Sequence, residues 1–294
     1  MKRIALLFLI FAAQPTNAQT EARWAQIVNW DGFSPWQKYI NFAPAFMGPN
    51  AIPVPSLATG GIDSVSYIGI GLPLHFGSGD NTQALEFSGN YCLVKDLVAI
   101  DLSYIPVEWF QESDATKDKR HVYWPYYNSR SAQGDVNMNI RFRLLKKWDR
   151  KVKLGLRVGY RFPSSNAKEV AMARYTDAPG YFFDVSAGRY LSDRHEWMIS
   201  GMAGFYVWQL TDFGQNDAFL FGGGLSYAKN GWRAQVALRG YTGWKQNGDF
   251  PILVSGSLEK LRKKMGWSLQ LQRGLHDFGY TSVSFGTKWL LRSP

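Results

Sequence analysis

Two adjoining runs of strictly alternating residues constrain the fold of this chain more than any other feature. From 136 to 144 and again from 152 to 162, every even position is apolar, and every odd position is polar, basic or glycine. A period of two is typical of a β-strand with one apolar and one polar face. The basic stretch 145–151 joins the two runs as a turn. We therefore expect a membrane hairpin with its apolar row toward lipid and its cationic row toward a wet interior.

Hydropathy separates this chain from helical membrane proteins. Hydrophobic residues make up 46% of the sequence, yet the mean hydropathy is −0.24. No stretch after residue 20 approaches the roughly 20 consecutive apolar residues that a membrane-spanning helix needs. A transmembrane barrel keeps every second strand residue polar, so a low mean hydropathy is expected of it.

The first 18 residues predict export. Lys2 and Arg3 precede an apolar run over 4–13, and the small residues of 16–18 suit a cleavage site, so we interpret 1–18 as a signal peptide. A membrane anchor is disfavoured because the apolar run is too short. Cys92 is the one cysteine, which excludes an intramolecular disulfide bond.

The balance of charge indicates anionic partners. Without Lys2 and Arg3, 31 basic residues remain against 23 acidic residues. Such an excess suits nucleic acid, anionic lipid or anionic solutes, but export and the lack of any recognition signature argue against nucleic acid. Scattered histidines, with no metal-ligand spacing and no phosphate-binding loop, predict neither a catalytic site, a metal nor a cofactor, so we do not expect an enzyme.

The exported chain divides into two parts. Residues 19–61 are rich in aromatic residues and prolines and do not alternate, which predicts a plug inside a barrel, a docking surface for a partner, or a periplasmic strap across the barrel mouth. Residues 62–294 predict an all-β, antiparallel transmembrane barrel. Its twelve expected strands cover 63–76, 82–94, 98–110, 135–144, 152–162, 181–191, 196–210, 218–228, 232–244, 252–261, 267–273 and 280–291. The seventh and tenth alternate poorly, which leaves their registers open.

Connections and tryptophans support a membrane barrel independently. Short connections alternate with longer ones, the longest being 111–133 and 164–180, as in outer-membrane barrels with short periplasmic turns and long outer loops. Tryptophans recur at predicted strand ends: Trp109, Trp197, Trp232, Trp244 and Trp267. Trp232 and Trp244 share a face and lie twelve residues apart, about 28 Å along the membrane normal at about 3.3 Å per residue and a tilt of about 45°.

From residue 62 onward the chain resembles Gram-negative outer-membrane β-barrel proteins. The resemblance lies in the alternation, the tryptophan positions and the turns, with Val283, Phe285 and Trp289 similar to the aromatic last strand of that class. The single cysteine and many aromatics also resemble barrels of Bacteroidota. The resemblance implies an outer-membrane location, contact with the lipid bilayer and a passive channel, such as the twelve-stranded channels for acidic oligosaccharides.

The polar face of the predicted barrel carries the main candidate site. Parity places these basic residues in the lumen: Arg141, Arg143, Lys153, Arg157, Arg161, Arg233, Arg239 and Lys288. The acidic residues expected on the same face are Glu86, Asp101, Asp135, Asp184 and Glu259. A lumen with one dominant sign favours counter-ions, and arginine binds carboxylates and phosphates through two donors. Either the basic set lines an open path for anions, or the two sets pair and fill the lumen.

An aromatic loop is the second candidate site. Tyr123, Trp124, Tyr126 and Tyr127 lie in the long connection 111–133 and are expected either to contact a sugar or a protein partner, or to fold over the barrel mouth. Three functions follow from these features. The first is a channel for small anions or acidic saccharides; the others are an accessory subunit of an envelope protein complex and a transporter of hydrophobic compounds.

Overall fold

The computed structural model describes residues 21–62, 65–145, 151–210 and 213–291; for 209–210 and 213–216 only the backbone is described. The predicted signal peptide, the basic turn 146–150 and the last three residues lie outside the described residues.

One antiparallel sheet closes on itself as a barrel. In the described part of the chain its strands are β1 (Tyr67–Gly77), β2 (Asp80–Val94), β3 (Val98–Glu112), β4 (Ser131–Ala132), β5 (Val136–Arg143), β6 (Val152–Phe162), β7 (Gly180–Tyr190), β8 (Trp197–Leu210), β9 (Phe213–Lys229), β10 (Trp232–Thr242), β11 (Ile252–Leu261), β12 (Met265–His276) and β13 (Tyr280–Leu290). Each long strand pairs with its neighbours in the chain, and β1 closes the barrel by pairing with β13. The two-residue β4 only extends the edge of β3. The predicted barrel of twelve strands is confirmed.

The alternation of the sequence is carried into the two faces of the wall. On β6, Val158 and Phe162 are exposed on the outside, whereas Arg157 and Arg161 are buried inside. Exposed apolar side chains continue around the barrel, for example Leu72 and Phe285 on the seam strands. A closed barrel leaves no backbone edge unpaired, so an apolar exterior of this kind belongs in lipid.

The two ends of the barrel differ. The turn mouth is the end with the short connections, such as the Asn230–Gly231 turn, in which both residues have positive φ as a two-residue hairpin requires. The loop mouth is the opposite end. It carries two short helices, α2 (Asp114–Arg120) and α3 (Ala167–Ala171), and a 3₁₀ turn, Trp124–Tyr126. Ser113 caps α2, and a capping box of Asn166 and Glu169 starts α3.

Tryptophans mark both ends of the exterior. Trp197 and Trp232 begin β8 and β10 at the turn mouth, and Trp267 lies two residues into β12; all three side chains are exposed. Trp109 and Trp244 are exposed toward the loop mouth. This arrangement matches the aromatic girdles expected of a membrane barrel.

The N-terminal segment (residues 21–61) crosses the barrel from one mouth to the other. Helix α1 (Glu21–Val28) and the 3₁₀ turn Trp36–Tyr39 lie against the connection that follows β3. The lumen segment (residues 47–60) then follows the interior wall: the Met47 carbonyl accepts a bond from Tyr280 near the loop mouth, and Gly60 donates to Ser186 near the turn mouth. The first strand therefore begins at the mouth opposite to α1.

The interior has a charged half and an apolar half. Strands β2 to β7 supply most of its charged side chains, whereas the inner face of β8 to β11, against which the lumen segment packs, is mostly apolar. The buried wall residues that pack against this segment include Met202, Tyr206, Trp208, Leu220, Ala237, Tyr241 and Leu253. This explains the weak alternation of β8 and β11, since their inward positions hold apolar side chains that cover Ile52, Val54 and Leu57.

Candidate functional site

Most of the predicted lumen cations are paired with the predicted lumen carboxylates. Arg141 Nε lies 2.7 Å from Asp101, and its Nη2 donates to Asn90 at 2.9 Å. The Arg157–Asp184 and Arg161–Asp135 pairs measure 2.7 and 2.8 Å, with every one of these four side chains buried. The structure thus brings the basic row and the flanking acidic residues together as ion pairs.

Toward the turn mouth a second set converges on Glu259. Lys288 and Arg233 both approach its carboxylate, Arg233 at 3.8 Å. Arg239 lies apart from them on the apolar half of the wall, where its guanidinium donates to the Gln272 side chain. These residues belong to the same lumen as the Arg141–Arg161 wall but occupy its opposite side, because β10 to β13 face β5 and β6 across the interior.

Arg143 and Lys153 differ from the rest of the basic set. Arg143 donates to the carbonyl of Leu145 at 2.7 Å, and Lys153 Nζ lies 5.0 Å above the Tyr190 ring. Neither has a carboxylate partner among the described residues. Both stand near the turn mouth, beside the exit of the lumen segment at Gly60 and Gly61. Arg143 and Lys153 therefore add positive charge near the turn mouth, whereas Arg239 adds it deeper in the lumen.

The lumen segment is held by the same arginines that line the wall. Arg157 Nη2 donates to the Ser56 carbonyl at 2.9 Å, and Arg161 Nη1 donates to the Ala51 carbonyl at 3.2 Å. Tyr241 donates to the Ile52 carbonyl at 3.2 Å. Each bond joins a wall side chain to the main chain of the segment, so its polar anchoring depends little on which side chains the segment carries.

A larger ionic cluster, which sequence parity missed, lies at the loop mouth. Arg174 is completely buried and reaches Asp80 and Glu108 at 2.7 Å each and Glu112 at 3.4 Å. Arg120, from the end of α2, also binds Asp80 and Glu112. Burial lowers the pKa of the Arg174 guanidinium, but these carboxylates raise it by more, so it stays protonated.

A β-bulge explains why this cluster escaped the parity argument. Asp101 and Glu108 are seven residues apart on β3, so strict alternation would place them on opposite faces. The register with β2 shifts between the Leu85–Val107 and Phe87–Tyr104 pairs, which turns both carboxylates inward. Arg120 and Arg174 lie in connections, where no parity rule applies.

Glu86 differs from the other predicted acidic residues because no partner is found for it in the described part of the chain. It faces a cavity of about 200 Å³ between the lumen segment and the wall of β2, β3, β5, β6 and β7. The cavity is lined by Asn50, Pro53, Val54, Pro55, Ser56, Glu86, Ser103, Ile105, Asn137, Asn139, Arg157, Tyr160, Arg161, Gly180, Phe182 and Tyr206.

The four aromatic residues of the predicted contact patch on the loop make contacts within the chain. Tyr123 stacks on Trp36, with ring centroids 4.9 Å apart, and also meets Trp24 edge-on at 5.0 Å. Tyr127 is buried under Lys117, and its hydroxyl bonds Asp118. Trp124 contacts Tyr123, and Tyr126 packs against a small apolar cluster under the loops. The loop thus covers the mouth together with the N-terminal segment.

The described residues contain no group of three or more histidine, cysteine, aspartate or glutamate side chains that could hold a metal ion. None of the helices described is both long and apolar enough to cross a membrane.

Comparison with known proteins gives similarity in structure but not in sequence. No protein-family model matches the chain, and no curated protein has a similar sequence. An outer membrane channel from Pseudomonas putida F1 superposes with a TM-score of 0.56 at 12% identity, over 80% of this chain and 97% of that one. The NanC porin gives 0.51 at 8% identity, over 76% and 100%. The chain has the barrel fold of these outer-membrane proteins. At such identities the likeness shows the fold alone.

Proposed function

We propose that the protein is a passive outer-membrane channel for small anionic solutes, closed by its own lumen segment. The observation that carries the proposal is the pair of bonds from Arg157 and Arg161 to the carbonyls of Ser56 and Ala51. Withdrawal of the segment leaves two guanidinium groups with exposed donors inside a narrow lumen. Such donors suit carboxylates and phosphates.

The distribution of charge supports a preference for anions. Arg157 and Arg161 are each neutralised by an aspartate, so they offer hydrogen bonds rather than net charge. Arg143 and Lys153 supply the net positive charge at the turn mouth, which raises the local concentration of anions. The two structurally similar proteins are themselves named as a channel and a porin, in agreement with this proposal.

A reversible tether tests whether the segment is the gate. A Cβ placed on Gly224 would lie 2.8 Å from Leu57 Cδ2, which brings the thiols of Leu57→Cys and Gly224→Cys within reach of a disulfide bond. The same Cβ would lie 2.3 Å from the Val236 carbonyl oxygen, so the wall must shift to accept it, and the folding of each Gly224→Cys variant is verified by the mobility shift of unheated barrel on a denaturing gel. The variant is made with Cys92→Ala, because Cys92 is a buried free thiol. In planar bilayers we expect the oxidised protein to conduct little and the reduced protein to show transient anion-selective openings.

The two single cysteine variants are the controls, since neither can form the tether. Their conductance should not respond to oxidation or reduction. Equal conductance of the oxidised and reduced double variant, with the disulfide verified by mass spectrometry, would exclude the segment as the gate. No conductance from either form, and none after removal of residues 21–60, would exclude a channel.

Uptake of hydrophobic compounds is the second candidate, and the apolar half of the lumen favours it. Tyr206, Trp208 and Tyr241 form a buried aromatic triad with centroids 5.0 to 5.2 Å apart, covered by the lumen segment. A solute with an aromatic body could replace this packing once the segment moves. Uptake of benzyl alcohol and benzoate into liposomes, each measured as the rate above that of protein-free liposomes, distinguishes the two functions, because a protein-dependent increase for the neutral alcohol alone contradicts an anion channel.

A further inference from the structure

Glu86 is a lumen carboxylate with nothing beside it to compensate its charge. Its neighbours across the two flanking strands are Gly71 on β1 and the bulge at residues 105–106 on β3. A Cβ on Gly71 would approach Glu86 Oε2 to 3.2 Å, so the glycine leaves room for the carboxylate. In the described part of the chain no hydrogen-bond or ion-pair partner reaches it, although it faces the 200 Å³ cavity.

The arginines in the same cavity wall do not compensate this charge. Arg157 is bound to Asp184, Ser56 and Met202, and Arg161 to Asp135, Ala51, Thr176 and Ala178. Each guanidinium is balanced by its own aspartate. Ionised Glu86 therefore gives the cavity one negative charge in excess, in an interior where an unpaired carboxylate is costly and gains from a bound cation.

We propose that this cavity is a binding site for a small primary ammonium ion, with Glu86 as its counter-ion. The side chains of Asn137, Asn139 and Ser103 line the same space and offer oxygen acceptors for the remaining ammonium hydrogens. Ile105, Val54, Phe182 and Tyr206 offer apolar surface for a short carbon chain, and aromatic faces attract a cation.

The size of the cavity limits the ligand. A water molecule occupies about 30 Å³ in the liquid, so this space holds about six waters or an amine of similar total volume. A butylammonium ion fits this limit, whereas a diamine would place its second charge beside Arg157 or Arg161. Because the lumen segment forms one wall through Asn50 and 53–56, the site is complete only while the segment is in place. The site therefore exists with the segment in place, whereas the proposed anion path, which shares Arg157 and Arg161, exists once the segment is withdrawn.

Calorimetric titration of the full-length barrel in a non-ionic detergent tests the site. The probe is n-butylammonium chloride, with 1-butanol as the neutral analogue and tetramethylammonium as a cation without N–H donors. We expect saturable binding of one butylammonium per barrel and at least tenfold weaker binding of both analogues. Glu86→Gln should weaken butylammonium binding roughly tenfold to a hundredfold, as expected for loss of a charged hydrogen-bonded partner.

Glu259→Gln is the matched control, because Glu259 is a lumen carboxylate outside the cavity that already pairs with Lys288. It should leave butylammonium affinity unchanged. Folding of each variant is checked by the mobility shift of unheated barrel on a denaturing gel. If Glu86→Gln does not fold, Asn139→Leu takes its place, with a loss of affinity again expected. Binding that survives Glu86→Gln, equal binding of 1-butanol, or no saturable binding to the native protein would overturn the proposal.

Discussion

Replacing Arg174 by methionine should be among the most damaging single substitutions in this barrel. The guanidinium is completely buried and binds Asp80, Glu108 and Thr82 within 2.8 Å, with Glu112 at 3.4 Å. After Arg174→Met, one arginine of this cluster, Arg120, remains for three buried carboxylates, and it binds two of them, Asp80 and Glu112. Breaking a buried ion pair from one side costs about 3–5 kcal/mol, and we expect a loss of that size in the free energy of unfolding.

Equilibrium unfolding by urea in detergent or lipid, followed by tryptophan fluorescence, measures this loss. Adding Glu108→Gln to Arg174→Met should recover about 1 kcal/mol or more, because one uncompensated carboxylate is removed with the cation. The matched control is Lys151→Met, which breaks the exposed 2.7 Å pair with Asp193 and should not change stability measurably. A loss below about 1 kcal/mol for Arg174→Met would refute the view that this cluster fastens the loops to the barrel.

Two further predictions concern conduction. Gly48→Ala puts a Cβ within 2.7 Å of the Arg174 guanidinium, so it should loosen the lumen segment and raise the open probability of the channel in planar bilayers. The control is Gly256→Ala, whose Cβ meets no atom within 4 Å and which should leave the open probability unchanged. Replacing both Arg143 and Lys153 by glutamine removes the two cations near the turn mouth that have no carboxylate partner among the described residues. The reversal potential in a salt gradient should then shift toward non-selectivity, while Arg194→Gln on an exposed turn should leave it unchanged.

The fold could be predicted from sequence because membrane strands repeat a simple rule. The runs 136–144 and 152–162 alternate apolar and polar residues without exception, and tryptophans at strand ends indicate where the strands meet the membrane surface. Parity also placed Asp101 and Asp184 on the strands that flank the basic row, which made pairing with Arg141 and Arg157 one of two alternatives for the lumen. Both results depend on local periodicity, which is visible in a single sequence.

The rest of the lumen could not be predicted because it depends on contacts between distant parts of the chain. The wall of β8 to β11 is apolar because residues 47–60 cover it, and no pattern within Met202, Tyr206 or Tyr241 reveals that cover. The bulge on β3 reverses parity between Asp101 and Glu108. Pro106 stands in this bulge, and a proline inside a strand indicates a bulge or an edge, but it does not by itself show which face each carboxylate takes. Glu86 likewise has no partner among the described residues because Gly71 and the bulge on β3 lie beside it, and the sequence alone does not show that arrangement.

The course of the N-terminal segment has a consequence for the order of assembly. Residues 47–60 are enclosed by wall strands on every side, while α1 and the first strand lie at opposite mouths. The seam between β1 and β13 joins the first and last strands to be synthesised. For this topology to form directly, residues 47–60 must already lie along the inner face of the incomplete sheet when β1 pairs with β13. The last strand pairing to form is thus also the step that encloses residues 47–60 in the lumen.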